Sequence, residues 1–309
     1  MSFLSRTVAC FSLLFATALP ASASGSLELV ELTDNIYAIV GELGNRSTEN
    51  LGNNATFGFV VTQEGVVLID PGAVYQGAKA LHQIIRSVTD KPVSHVINTG
   101  GQDHRWMGND FFKQQGATII ASARAVEDQK TRTRDQFSRL ASLMGSDALQ
   151  TTRPVYADKT FEQELTLTVG DTTFEIRHPG QAHTPGDSFV WLPEEKIMFT
   201  GDIVYTERML SIGDYSSSKS WVDSFRAMAA YEPQVVVPGH GAPTTLNKAR
   251  ADTLDYLVFL RETIRKFMDN GGHITRIGSI DQSQFDHLKN FEALSGRNAQ
   301  RVYSELEWE

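Results

Sequence analysis

Runs of apolar, mostly β-branched residues in this chain end repeatedly in loops that carry side chains able to bind a metal. Val66 to Ile69 leads into Asp70-Pro71-Gly72, and Val93 to Ile97 leads into the segment from Asn98 to Asn109. Thr173 to Arg177 and Lys196 to Thr200 precede Gly180 to Asp187 and Gly201-Asp202, and Gln234 to Val237 precedes Pro238-Gly239-His240-Gly241. Strands that share a sheet deliver such ends to one rim, and loops at the rim of a rigid scaffold are where binding and catalysis concentrate. The pattern therefore predicts a sheet scaffold with one polar site along an edge.

The stretches between these strands complete the order of elements. Leu27 to Leu32, Ile36 to Val40, Thr56 to Thr62 and Val66 to Ile69 are closely spaced, with turn residues at Asp34-Asn35 and Glu64-Gly65, which predicts an antiparallel meander. Helical periodicity follows over Tyr75 to Val88, then a strand over Val93 to Ile97, a short helix over Asp110 to Gln115 and a strand over Thr118 to Ala121. Ala123 to Met144 reads as a long polar helix, either a solvated surface helix or the edge of a lid. The second half repeats the order, with strands at Phe161 to Val169, Thr173 to Arg177, Ser188 to Leu192, Lys196 to Thr200 and Gln234 to Val237, and helices at Lys219 to Tyr231 and Thr244 to Met268. Two β-rich halves, each with helices, predict an α/β chain with two sheets face to face and helices outside. The Gly- and Asn-rich connection from Gly41 to Ala55 is long enough to cover a substrate.

Composition narrows the partners. The first residues read as a secretory leader: Arg6 is positive, Val8 to Leu19 is almost wholly apolar, and Ala21-Ser22-Ala23 offers small residues for cleavage. The expected product is a periplasmic or secreted chain of residues 24 to 309, one domain with a C-terminal helical extension. An apolar run of about a dozen residues is too short to span ~30 Å of hydrocarbon as a helix, so stable membrane insertion is not expected. Cys10 is the only cysteine and lies within that leader, which removes disulfides and thiolate ligands from the mature chain. Without Arg6, 27 of the 28 basic residues remain against 37 acidic ones, and no basic run is present to follow a phosphate backbone. Nucleic acid is excluded as a partner, which leaves a small-molecule substrate.

The ordered series Leu68-Ile69-Asp70-Pro71-Gly72, Asn98-Thr99 to Gly108-Asn109, Ala182-His183-Thr184-Pro185-Gly186-Asp187, Phe199-Thr200-Gly201-Asp202 and Val237-Pro238-Gly239-His240-Gly241 resembles the motif series of the metallo-β-lactamase superfamily. The resemblance spans about residues 28 to 245. It implies a four-layered αβ/βα sandwich and, in many members, a zinc-dependent hydrolase. It also implies that Asp70 holds its loop by hydrogen bonds instead of touching metal.

The second motif departs from the family pattern, His-x-His-x-Asp-His followed by two residues and Gly-Asn. Here the segment is Gly100-Gly101-Gln102-Asp103-His104-Arg105-Trp106-Met107-Gly108-Asn109. Aligned without a gap, the four ligand positions fall on Gly100, Gln102, His104 and Arg105; a one-residue shift would instead place Asp103-His104 on the Asp-His pair. By the resemblance the remaining metal ligands are His183, Asp202 and His240, with His104 as a fourth donor. Three His or carboxylate ligands and a water satisfy one zinc, whereas two ions cannot be held by what is left. Arg105 has two readings: a guanidinium that replaces the charge of a second metal by pairing with Asp202 or orienting an anionic substrate, or a solvent-facing residue packed on Trp106.

Two functions follow. One is an exported hydrolase in which hydroxide generated on a single metal attacks a lactam, ester or thioester carbonyl, with Asp202 and Arg105 as catalytic residues. The other is a binding or accessory protein that keeps the fold and has lost the metal.

Overall fold

The computed structural model describes residues 27–309, so the proposed leader, with Cys10, lies outside the described residues. The first sheet opens with the expected meander: β1 (Glu28–Thr33), β2 (Ile36–Val40), β3 (Thr56–Thr62) and β4 (Gly65–Ile69) pair antiparallel in sequence order. Strands β5 (Val93–Asn98), β6 (Thr118–Ser122) and β7 (Lys159–Phe161) then add in parallel. The parallel steps need crossovers, and these are α1 (Tyr75–Val88), α2 (Asn109–Gln114) and α3 (Ala123–Met144).

The second sheet contains β8 (Glu164–Val169), β9 (Thr172–Arg177), β10 (Phe189–Leu192), β11 (Ile197–Phe199) and β12 (Val235–Val237), in the order β12-β11-β10-β9-β8. Only the β11–β12 pair is parallel, and α4 (Ser218–Ala229) lies within its crossover. The single strand expected over Phe161 to Val169 is two: the chain leaves the first sheet after β7 and enters the second at β8. The break falls at the polar triplet Glu162-Gln163-Glu164, which the reading as one strand passed over.

Alternation in β4 shows how four layers arise from one strand. Val67 and Ile69 join Val60, Ile97, Ile176, Val190 and Phe199 in the core between the sheets, while Val66 and Leu68 pack beneath Leu81 and Ile85 of α1. Both faces of the sheet are buried, which is why the strand reads as an unbroken apolar run. On the far side, the second sheet packs against a helical layer built from α4, α6 (Asp255–Asp269) and α7 (Phe291–Leu306).

The expected helix from Thr244 to Met268 is interrupted. It begins as α5 (Leu246–Ala249), passes through a π-helical turn at Arg250–Leu254 and resumes as α6. The wider turn presents Thr253, whose hydroxyl donates to the Tyr205 carbonyl at 2.6 Å and accepts from the Tyr205 amide at 2.9 Å. In α7, the Asn298 side chain grips the backbone of Leu210 and Ile212 at 2.9 Å each. These two clamps fix the segment from Tyr205 to Ile212 that forms one wall of the site.

Candidate functional site

The rim loops converge as expected, on a group of three buried residues. His104, Asp202 and His240 place one donor atom each within 4.8 Å of one another. His104 comes from a single 3-10 turn, Asp103–Arg105, after β5, Asp202 from a 3-10 turn, Gly201–Ile203, after β11, and His240 from the loop after β12. His104 Nε2 stands 3.2 Å from Asp202 Oδ2 and His240 Nε2 stands 3.4 Å from Asp202 Oδ1. Asp103 is turned away toward Arg46 and is not a member of the group, while His104, a ligand position in both registers, is. His183, expected as a ligand, is not a member of it. Its Nδ1 lies 2.9 Å from the Ser211 carbonyl and its ring packs on Tyr205 and Trp221.

Arg105 is fully buried, which rules out the solvent-facing alternative. Its Nη2 donates to Asp202 Oδ1 at 2.7 Å and to the Gly239 carbonyl at 2.8 Å, and its Nη1 donates to Asp70 Oδ2 at 2.9 Å and the Thr56 carbonyl at 3.0 Å. Every Nη contact is to protein, so the guanidinium is not available to orient a substrate. The pairing with Asp202 is the arrangement found. Burial alone would raise the Asp202 carboxyl, but Arg105 and then His104 overcome it and hold the group well below the ordinary carboxylate range. Asp70 accepts from the Thr99 amide at 2.8 Å and the Thr99 hydroxyl at 2.7 Å, the loop-holding role expected of it.

Hydrogen-bond partners assign the imidazole protons. His240 Nδ1 faces the Asn54 carbonyl at 2.8 Å, so it carries the proton and leaves the Nε2 lone pair toward Asp202. Burial, and then the nearby Arg208, keep this ring neutral, well below its usual pKa. The Ser211 carbonyl assigns His183 the same tautomer, and burial pushes its pKa down to about 4. His104 differs: Arg46 Nη2 donates to its Nδ1 at 2.6 Å, so Nε2 carries the proton and donates to Asp202. Arg46 also pairs with Asp103, 3.3 Å from His104 Nδ1 through Oδ1, which is the acceptor for a proton displaced from Nε2 to Nδ1.

The donor set suits one cation. His240 Nε2 and Asp202 Oδ1 confront each other as two lone-pair bearers, and His104 can turn a third nitrogen to the same point by shifting its proton. The place of the first family histidine is filled by another side chain. A Cβ on Gly100, the first ligand position of the gap-free register, would lie 2.4 Å from Asp187 Oδ1, and one on the intervening Gly101 would lie 1.8 Å from Asp128 Oδ2. Asp187 accepts from the Thr184 amide at 2.7 Å and its hydroxyl at 2.5 Å. Burial, followed by the Asp202 charge, pushes its carboxyl up to about 8. The loop is also tied from above: Gln129 donates to the Gly100 carbonyl at 3.0 Å and Gln136 to the Gly101 carbonyl at 2.8 Å. Those glutamines belong to α3, which is therefore neither a wholly solvated helix nor a free lid; its buried face braces the site loop.

Beside the group lies a cavity of about 740 Å³ whose wall includes His104, His183, Tyr205, Arg208 and His240. The connection from Gly41 to Ala55 contributes to that wall as expected, with Arg46 on His104 and the Gly44 carbonyl accepting from Arg208 at 3.0 Å. Sequence reasoning missed Arg46, Arg208 and Tyr205, which sit in no motif, and it quoted Asp187 without recognising that it fills the histidine space. Only the two adjacent glycines, which leave room for another residue's side chain, hinted at that.

Residues 52–240 match the family model described as the metallo-beta-lactamase superfamily. Over 222 residues the chain is 26% identical to a type 2 metallo-beta-lactamase of Elizabethkingia meningoseptica, covering 69% of this chain and 78% of that protein. A solved metallo-beta-lactamase from Pontibacter korlensis superposes with a TM-score of 0.61 at 22% identity, covering 75% of this chain and 99% of the other. A stereoselective inverting sec-alkylsulfatase from Pseudomonas sp. superposes with a TM-score of 0.70 at 18% identity, over 90% of this chain and 50% of that one. The motif order, the two facing sheets with outer helices and the match across most of both motif-bearing halves agree: this chain belongs to the metallo-beta-lactamase superfamily.

Proposed function

We propose that the chain is a metal-dependent hydrolase of small molecules that uses one divalent ion, zinc being the ion that two imidazoles and a carboxylate suit best. The observation that carries the reading is the His240 lone pair facing the Asp202 carboxylate at 3.4 Å, with the ring held in that tautomer by the Asn54 carbonyl. A bound ion of this kind lowers the pKa of water and polarises a carbonyl oxygen. His104, Asp202 and His240 would hold it. Asp103 would accept a hydrogen bond from His104 Nδ1–H once the proton sits there, and Arg105 keeps Asp202 ionised and fixed. His183, at the cavity wall with Nε2 unprotonated, accepts a hydrogen bond from water or substrate. A lactam, ester or thioester carbonyl is the proposed centre of attack.

Metal per chain, by elemental analysis of protein purified without chelators, tests the reading. One equivalent is expected, and His240→Ala should lose most of it, since two protein donors would remain. Two equivalents in the native protein would contradict the single site.

A second reading, a binding protein without metal, is favoured by one feature. Arg46 on His104 and Arg105 on Asp202 already supply positive charge to the group. A native protein with no metal and with Nε2 of His104 protonated by NMR would establish it over the first.

Export is part of the proposal and rests on the leader-like sequence before Ser24. The intact mass of protein recovered from the periplasm or medium should correspond to residues 24 to 309; a mass that retains residues 1 to 23 would refute cleavage there.

A further inference from the structure

We propose that the cavity beside His104 and His240 is an oxyanion cleft in which Arg208, Arg139 and Arg297 receive a sulfate, phosphate or carboxylate group of the substrate. This rests on the hydrolase reading for the word substrate, while the binding itself does not need a metal.

The whole chain has a net charge of −9, yet the wall of this one cavity gathers Arg46, Arg132, Arg139, Arg208, Arg297 and Arg301. Only Asp135 and Asp214 among carboxylates line it. Three of the arginines are engaged: Arg46 with Asp103, Arg132 with Asp128 and Arg301 with Asp214. The other three have no carboxylate partner. Arg139 and Arg297 make no hydrogen bond or ion pair among the described residues.

Arg208 is the most telling, because it is 8% exposed and has no carboxylate within ion-pair distance among the described residues. Its Nη1 donates to the Gly44 carbonyl at 3.0 Å and lies 3.3 Å from His240 Nδ1, which already carries a proton, and its Nε has no partner. A desolvated guanidinium without a counterion is costly, and an anion bound beside it removes that cost. The like charges also lie close enough to act on one another. Partial burial, and then Arg46, Arg297 and Arg132 against the opposing charge of Asp103, lower the Arg139 pKa. An oxyanion among planar forks accepts paired, charge-assisted hydrogen bonds and relieves the repulsion in one step. Its position next to His104 and His240 would place the neighbouring bond of the same molecule at the proposed metal.

The test is calorimetric titration of the full mature chain, as purified and after chelator treatment, with inorganic sulfate, inorganic phosphate and acetate at fixed ionic strength. Saturable binding of at least one is expected in both preparations, and the tightest identifies the group. Arg208→Gln and Arg139→Gln should each weaken it about tenfold or more, the usual scale for a lost charged hydrogen bond. Arg139 is exposed, so its variant remains informative if Arg208→Gln fails to fold. Absence of saturable binding by all three anions, or binding by folded Arg139→Gln within twofold of the unmodified chain, overturns the proposal. Metal content measured on the same samples separates the two readings. Anion binding without metal keeps the cleft and sinks the hydrolase; metal without anion binding sinks the cleft alone.

Discussion

Arg105→Ala is expected to destabilise the fold by about 3–5 kcal/mol, the range for breaking a buried ion pair from one side. Arg105 joins Asp70 after β4, Thr56 at the start of β3, Asp202 after β11 and Gly239 after β12 through four hydrogen bonds. Those groups belong to both sheets. Removing the guanidinium leaves the Asp202 carboxylate buried without its main counterion, while the Gly239 carbonyl keeps only the Thr56 amide as donor. Urea unfolding should show a lower midpoint with little change in slope. Arg105→Lys should recover only part of the loss, because a single ammonium cannot reach four acceptors in the planar arrangement. A shift of less than about 1 kcal/mol for the Ala variant would mean that the pair contributes no more than an exposed one, and would refute this account of Arg105.

Restoring the family histidines should fail. Gly100→His with Gln102→His recreates the letters of the motif, yet no second metal equivalent is expected, and stability should fall by about 1–3 kcal/mol from overpacking. The reason is steric: the new Cβ at position 100 meets Asp187 Oδ1 at 2.4 Å, and Asp187 cannot retreat without losing both bonds to Thr184. Adding Asp187→Ala should make room and return part of the lost stability. Elemental analysis and thermal melts of the double and triple variants check this. Two equivalents of metal in the double variant, at unchanged stability, would show that the histidine space is open.

Local periodicity was enough for the scaffold. The bounds of α1 and α3 and the antiparallel meander follow from residues within one element, where side-chain spacing and turn chemistry act at short range. The ordered motif series, through its resemblance to the family, named His104, Asp202 and His240 among the candidate donors, and these three lie together. The tertiary structure decided what depends on distance across the two sheets. It split Phe161 to Val169 between sheets, since strand membership is a property of the partner. It set His183 outside the donor group and buried Arg105 between Asp70 and Asp202, separated from it by 35 and 97 residues. It filled the space beside Gly100 with Asp187, 87 residues away, and assembled the arginines from the Gly41 to Ala55 connection, α3, the segment after β11 and α7 into one wall. Charge pairing and excluded volume act through space between residues that the chain order keeps far apart, so no window of sequence contains them.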